Sequence, residues 1–166
     1  MSLLTPMLRS SPLTDWFSDA QRVQGMLDFE AALAQAQAAC GMVPPEAVGP
    51  IVAACRHEAI DFAALGEAAV GAGNLAIPLV KQLTAQVKAQ DPEAARYVHW
   101  GATSQDAIDT GLVLQLRGAL DAAETLLEQL LAALALQADR YRDAVMPGRT
   151  WMQHALPVTF GLKLAG

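Results

Sequence analysis

Apolar and polar positions alternate along this chain in helical registers, and the texture of the pattern changes once. From about Thr14 to Cys40, Val23, Met26, Leu27, Phe29, Ala32 and Leu33 recur at close to helical spacing and predict a first helix. Thr14 or Asp15 can cap its start, and Gly41 can end it in a left-handed conformation. Pro44-Pro45 opens a shorter helix through about Arg56, and another covers about Phe62 to Val70. Gly71-Ala72-Gly73-Asn74 reads as a loop, and Ile77-Pro78 begins a helix through about Ala89. Asp91-Pro92 opens one or two more turns before Val98.

After Thr103 the pattern lengthens. No proline occurs from there to about Asp143, and the glycines are Gly111 and Gly118. Leu112, Leu116, Leu120, Ala123, Leu127, Leu130 and Leu134 keep one helical stripe, which Leu126, Leu131 and Leu136 widen. A helix apolar over more than one stripe belongs inside a bundle. Forty residues at 1.5 Å rise span about 60 Å, too long for the core of one small globule. The alternative is a break at Gly118, although a lone glycine costs only about 1 kcal/mol. Pro147-Gly148 is expected to turn the chain, and Arg149 to Pro157 reads as a loop or extended segment before a last helix near Val158-Thr159. The fold class is therefore all-α: an N-terminal domain of short helices over 1–102, then the long helix of a central bundle over 103–166. The final run Phe160-Gly161-Leu162-Lys163-Leu164-Ala165 is apolar and uncapped, so the sequence is expected to be the N-terminal portion of a longer chain.

Composition supports helices with small side chains that pack closely: 53% of the 166 residues are hydrophobic but only 5% are aromatic. A net charge of −6, without a Lys/Arg cluster, argues against nucleic acid and anionic membranes as partners. Arg9, Asp15 and Asp19 interrupt any apolar run of a signal peptide, and no stretch approaches a membrane span. Cys40 and Cys55 lack metal-ligand spacing and read as reduced, buried small hydrophobes of a cytoplasmic protein. No metal or other cofactor is expected.

Two segments carry chemistry. In His99-Trp100-Gly101-Ala102-Thr103-Ser104-Gln105-Asp106, a flexible turn opens into the long helix. Thr103 and Asp106 have capping-box spacing, with Asp in place of the usual Glu. Unpaired backbone N–H groups, two hydroxyls and an imidazole suit a small carboxylate. Equally, Thr103 and Ser104 can simply cap a helix and His99 can be a turn residue. The second segment is Arg149-Thr150-Trp151-Met152-Gln153-His154-Ala155-Leu156-Pro157-Val158-Thr159-Phe160-Gly161. Arg149 can fork onto a carboxylate, and Thr150 and Gln153 add hydrogen bonds; the alternative is an ordinary loop in which Trp151 packs and His154 is solvated.

Together the two segments resemble the H-x-G-x-T-S-x-D and R-T-x-x-Q-x-A-x-P-x-T-F-G regions of the fumarase/aspartase superfamily. The resemblance covers essentially the whole chain. It is greatest to the superfamily's carboxymuconate cycloisomerase branch, through Gly73-Asn74 to Ile77-Pro78-Leu79-Val80-Lys81, Trp100 to Asp106, and Arg149-Thr150-Trp151. Most relatives, fumarase and adenylosuccinate lyase among them, carry a histidine of acid/base chemistry where this chain has Trp151. An indole N–H only donates and cannot shuttle protons at neutral pH. That replacement favours the cycloisomerase branch.

The resemblance implies a homotetramer with shared sites that lactonises a tricarboxylate diene in protocatechuate catabolism, the β-ketoadipate pathway, without a cofactor. It implies Thr103 and Ser104 as the clamp on a substrate carboxylate, with Asn74, Thr150 and Gln153 as further polar contacts. Arg149 binds substrate or pairs with an acidic neighbour. Trp151 shapes the pocket wall, and His99 hydrogen-bonds substrate or orients its loop. The superfamily's general acid/base serine lies on a glycine- and serine-rich loop with an M-P-x-K-x-N-P tail, and no such string occurs here. A fragment lacking it is expected to be inactive alone. Competing readings are another lyase of the superfamily, such as adenylosuccinate lyase, and a non-catalytic helical oligomerisation module.

Overall fold

The computed structural model describes residues 11–166, and Arg9 lies outside them. The described residues form six α-helices and one two-stranded hairpin: α1 (Asp19–Ala39), α2 (Pro45–Ala54), α3 (Phe62–Ala72), α4 (Ala76–Gln90), α5 (Ser104–Arg140), β1 (Val145–Thr150), β2 (Gln153–Thr159) and α6 (Phe160–Ala165). Short 3₁₀ turns at Asp15–Phe17, His57–Ala59 and Ala94–Tyr97 join them. The fold is helical, as the periodicity predicts. The chain forms two compact units, one ending at Ala119 and one running from Leu120 to Gly166.

In the first unit, side-chain caps set the helix ends. The start of α1 is later than expected: Thr14 and Asp15 belong to the 3₁₀ turn, and the Ser18 hydroxyl accepts from the Gln21 N–H at 3.3 Å. At its other end Gly41, at φ 71°, places its N–H on the Ala38 carbonyl and the Met42 N–H on that of Gln37. This left-handed ending needs a residue without a Cβ penalty. Cys40 precedes it and is exposed; it is not the buried hydrophobe expected, whereas Cys55 is buried, and both thiols are free. Asp61 caps α3 at the Ala64 N–H (3.0 Å), and Asn74 accepts from the Ile77 N–H (3.1 Å) at the start of α4.

The core of this unit gathers Val23, Met26 and Leu27 of α1 with Ile51, Leu65, Leu79, Leu83 and Val87. Helix α1 meets α5 at two glycines. A Cβ on Gly25 would lie 2.8 Å from the Gly111 carbonyl oxygen, and one on Gly111 would lie 2.9 Å from the Met26 nitrogen. Only hydrogen at both positions permits that backbone approach. Gly118 does not break α5, which is continuous over 37 residues. Its missing side chain instead leaves room for the Trp16 ring, whose backbone carbonyl accepts from Gln115 Nε2 at 2.7 Å.

In the second unit the expected turn at Pro147-Gly148 is not made. Both residues lie in β1, where Pro147 pairs with Pro157 and a register shift follows at Gly148. Two strands have only edges, so a proline without an N–H costs little there. The chain reverses at Trp151-Met152, whose φ values of 34° and 65° give the two-residue hairpin connection. Neither residue is a turn former by type, so composition gave no signal. The N–H of Gly161 donates to the Tyr141 carbonyl (2.9 Å), and the Tyr141 and Phe160 rings lie 5.4 Å apart.

Candidate active site

The first segment forms a built cavity. Ala76, Ile77, Val80 and Lys81 of α4 face His99, Ala102, Thr103 and Ser104 across an open cavity of about 370 Å³. Its loop is shaped by left-handed residues at His99 (φ 57°) and Gly101 (φ 70°). Asp106 braces it: its carboxylate accepts from the Thr103 N–H at 2.9 Å, while the Asp106 N–H donates to the Thr103 carbonyl at 3.0 Å. Only the carboxylate half of the capping box is therefore made through a side chain. Among the described residues, no hydrogen bond engages the Thr103 or Ser104 hydroxyl, so both remain available at the N-terminus of a long helix.

Behind the loop lie two polar groups that periodicity alone did not single out. Glu30 and Gln37 occupy the core-facing stripe of α1 and are buried. Glu30 Oε1 lies 2.6 Å from His99 Nδ1, and Gln37 Nε2 donates to the Trp100 carbonyl at 2.7 Å. Burial pushes the Glu30 carboxyl above its ordinary range, against the hydrogen bond and charge of His99, which favour ionisation. The Trp100 ring stacks obliquely on Tyr97 at 5.9 Å. Lys81 is the other residue that spacing did not assign a role; it brings a cation to the cavity, and no ion pair engages it among the described residues.

Asn74 stands elsewhere. It lines a separate cavity of about 310 Å³ with Arg22, Met26, Leu75, Ile108, Leu112 and Gln115. Arg149, Thr150, Trp151 and Gln153 lie in the hairpin of the second unit, all exposed, with Thr150 paired to Gln153 and Arg149 to His154. Trp151 is 97% exposed at the tip. Arg149 and Lys163 border a shallow cavity of about 360 Å³. Each unit thus holds one of the two clusters. No group of three or more potential metal ligands occurs among the described residues, and no helix there is long and apolar enough to cross a membrane.

Residues 8–166 match the lyase family, and the chain belongs to that family, in the fumarase/aspartase superfamily. It is 61% identical over 157 residues to the 3-carboxy-cis,cis-muconate cycloisomerase of Pseudomonas aeruginosa, covering 95% of this chain and 34% of that protein. It is 56% identical over 163 residues to the enzyme of the same name from Bradyrhizobium diazoefficiens, covering 98% of this chain and 36% of that one. The crystal structure of the 3-carboxy-cis,cis-muconate lactonizing enzyme from Pseudomonas putida superposes with a TM-score of 0.95 at 55% identity, over 98% of this chain and 37% of that one. The chain spans about a third of the length of these relatives.

Proposed function

We propose that this chain is part of a cytoplasmic cycloisomerase that lactonises 3-carboxy-cis,cis-muconate in protocatechuate breakdown, the β-ketoadipate pathway. The observation that carries the reading is the cavity in which two unengaged hydroxyls, an imidazole and an ammonium converge at a helix N-terminus. Such a set recognises a small polycarboxylate. In the reaction one substrate carboxylate adds to a conjugated double bond of the same molecule, closing the C–O bond of the lactone. The displaced electron pair moves onto the carbon next to another carboxylate, and a proton delivered there completes the isomerisation. Thr103, Ser104 and Lys81 hold the carboxylate on which charge accumulates, where preorganised donors lower the barrier most. His99 adds a contact from the loop. The proton comes from outside these residues, on the serine loop that the superfamily resemblance implies.

Arg149, Thr150, Trp151 and Gln153 serve as the other wall, supplied by another copy of the chain, with Asn74 as a further polar contact. The exposed hairpin and the unbroken α5 favour that sharing, and the leucines on α5 favour a homo-oligomer, a tetramer in the reading proposed here. The test is turnover of 3-carboxy-cis,cis-muconate by the complete enzyme bearing this segment. Ser104→Ala is expected to lower kcat/KM by about 10- to 100-fold, the worth of a hydrogen bond to a charged group. Unchanged kinetics would remove the clamp. Release of fumarate from adenylosuccinate, with carboxymuconate left untouched, would replace the reaction with the commoner lyase chemistry. No thermal shift with millimolar carboxymuconate would leave only a helical assembly module.

A further inference from the structure

Helix α1 turns Val23, Leu27, Glu30, Ala34 and Gln37 toward the core at successive steps of three or four residues. An apolar side chain at position 30 would suit that stripe better, because a buried carboxylate loses its hydration. Glu30 is 2% exposed, and its Oε2 has no hydrogen-bond partner among the described residues. What it does have is His99, 69 residues away in sequence, at 2.6 Å. Gln37, two turns further along the same stripe, grips the backbone of the next residue, Trp100. One helix face therefore holds both the ring and the main chain of the loop that borders the cavity.

We propose that Glu30 is a positioning residue that makes His99 Nε2 a hydrogen-bond donor to a substrate carboxylate. The inference rests on the reading of this cavity as a carboxylate site. Nδ1 is occupied by Glu30, so Nε2 is the ring nitrogen left for the cavity. A net negative charge buried at the pair is costly, so the two side chains hold two protons between them. That count admits two arrangements: an imidazolium beside a carboxylate, or a neutral imidazole beside a carboxylic acid. Nε2 carries hydrogen in both. A nitrogen without a lone pair binds an anion and cannot take a proton, so His99 is a binding group and not the base. Of the charges nearby, Lys81 on the same cavity works against the second proton, while Asp28 of α1, which acts with Glu30 on Cys55, works for it.

The test uses ¹⁵N NMR of the histidine rings in the intact protein, with His99→Gln to identify the signal and the unreactive tricarballylate trianion as probe. Nε2 of His99 is expected in its protonated form at neutral pH, shifting when tricarballylate binds. Glu30→Leu keeps much of the volume but leaves Nδ1 without a partner, so nothing fixes hydrogen on Nε2. It is expected to weaken tricarballylate at least tenfold and to raise KM for carboxymuconate likewise, with kcat changed less than about threefold and thermal unfolding retained. A lone pair on Nε2 in the unsubstituted protein would overturn the proposal, and that measurement stands even if the variant fails to fold. So would a folded Glu30→Leu with unchanged affinity. Failure of the unsubstituted protein to bind tricarballylate would overturn the carboxylate reading itself. Absence of lactonisation alongside an intact Glu30 effect would instead sink only the proposed reaction.

Discussion

The two units use the same alphabet of Ala and Leu to opposite ends. In the first, α1 and the early turns of α5 bury Val23, Leu27, Ala107 and Gly111, and their two glycines bring backbones into contact. In the second, α5 exposes Leu126, Leu127, Leu130, Leu131 and Leu136, and Gly161 is the one buried residue. The same contrast holds for the chemistry. The His99 loop is tied from behind by Glu30, Gln37 and Asp106, whereas Arg149 and Trp151 stand on an exposed hairpin. A cluster braced by its own unit is ready to bind. An exposed one is what the proposed sharing between copies of the chain would use.

Four substitutions sharpen or break that contrast. Leu27→Ala removes a fully buried side chain and is expected to cost about 2–5 kcal/mol of unfolding free energy by denaturant titration. A loss below 1 kcal/mol would mean that the first unit has no packed core. Gly111→Ala forces a methyl against Met26 and Gly25 and is expected to cost about 1–3 kcal/mol on the same measurement, with α1 displaced from α5.

A third test concerns pH. Burial, with the charges of Glu30 and Asp28 behind it, pushes the Cys55 thiol from 9.0 up to about 12. The native state then holds a proton that the unfolded state has released, so stability falls as pH rises. The loss begins near pH 9 and continues to about pH 12, at up to about 1.4 kcal/mol per pH unit. Cys55→Ala is expected to flatten that part of the alkaline decline; identical slopes with and without the thiol would contradict the burial. Smallest in unfolding energy is Leu130→Ala, at 52% exposure. In dissociated chains it is expected to change stability by less than about 0.5 kcal/mol, while sedimentation shows weaker self-association. A large loss in the monomer would place Leu130 in the chain's own core.

Much of this was legible beforehand for identifiable reasons. Gly41 and Pro45 announce helix ends because their backbone restrictions are intrinsic. The Thr103–Asp106 brace follows from spacing on one turn. The hairpin turn was not legible, because Trp151 and Met152 hold positive φ without being turn residues by type. Cys40 looked buried on composition but lies on a helix cap. Glu30 and Lys81 were also missed: a Glu in a helix and a Lys four residues after Ile77 look like solvated positions until another segment is laid against them.

What the sequence determined by itself is the helical class, the order of the helices and the two clusters, because period, caps and motif spacing act over a few residues. Tertiary structure alone decided which side chains meet. It set Glu30 behind His99, Lys81 across from Ser104, and Gly25 against Gly111. Those contacts join positions tens of residues apart, and only packing, through the loss of water and the closeness of backbones, brings them together.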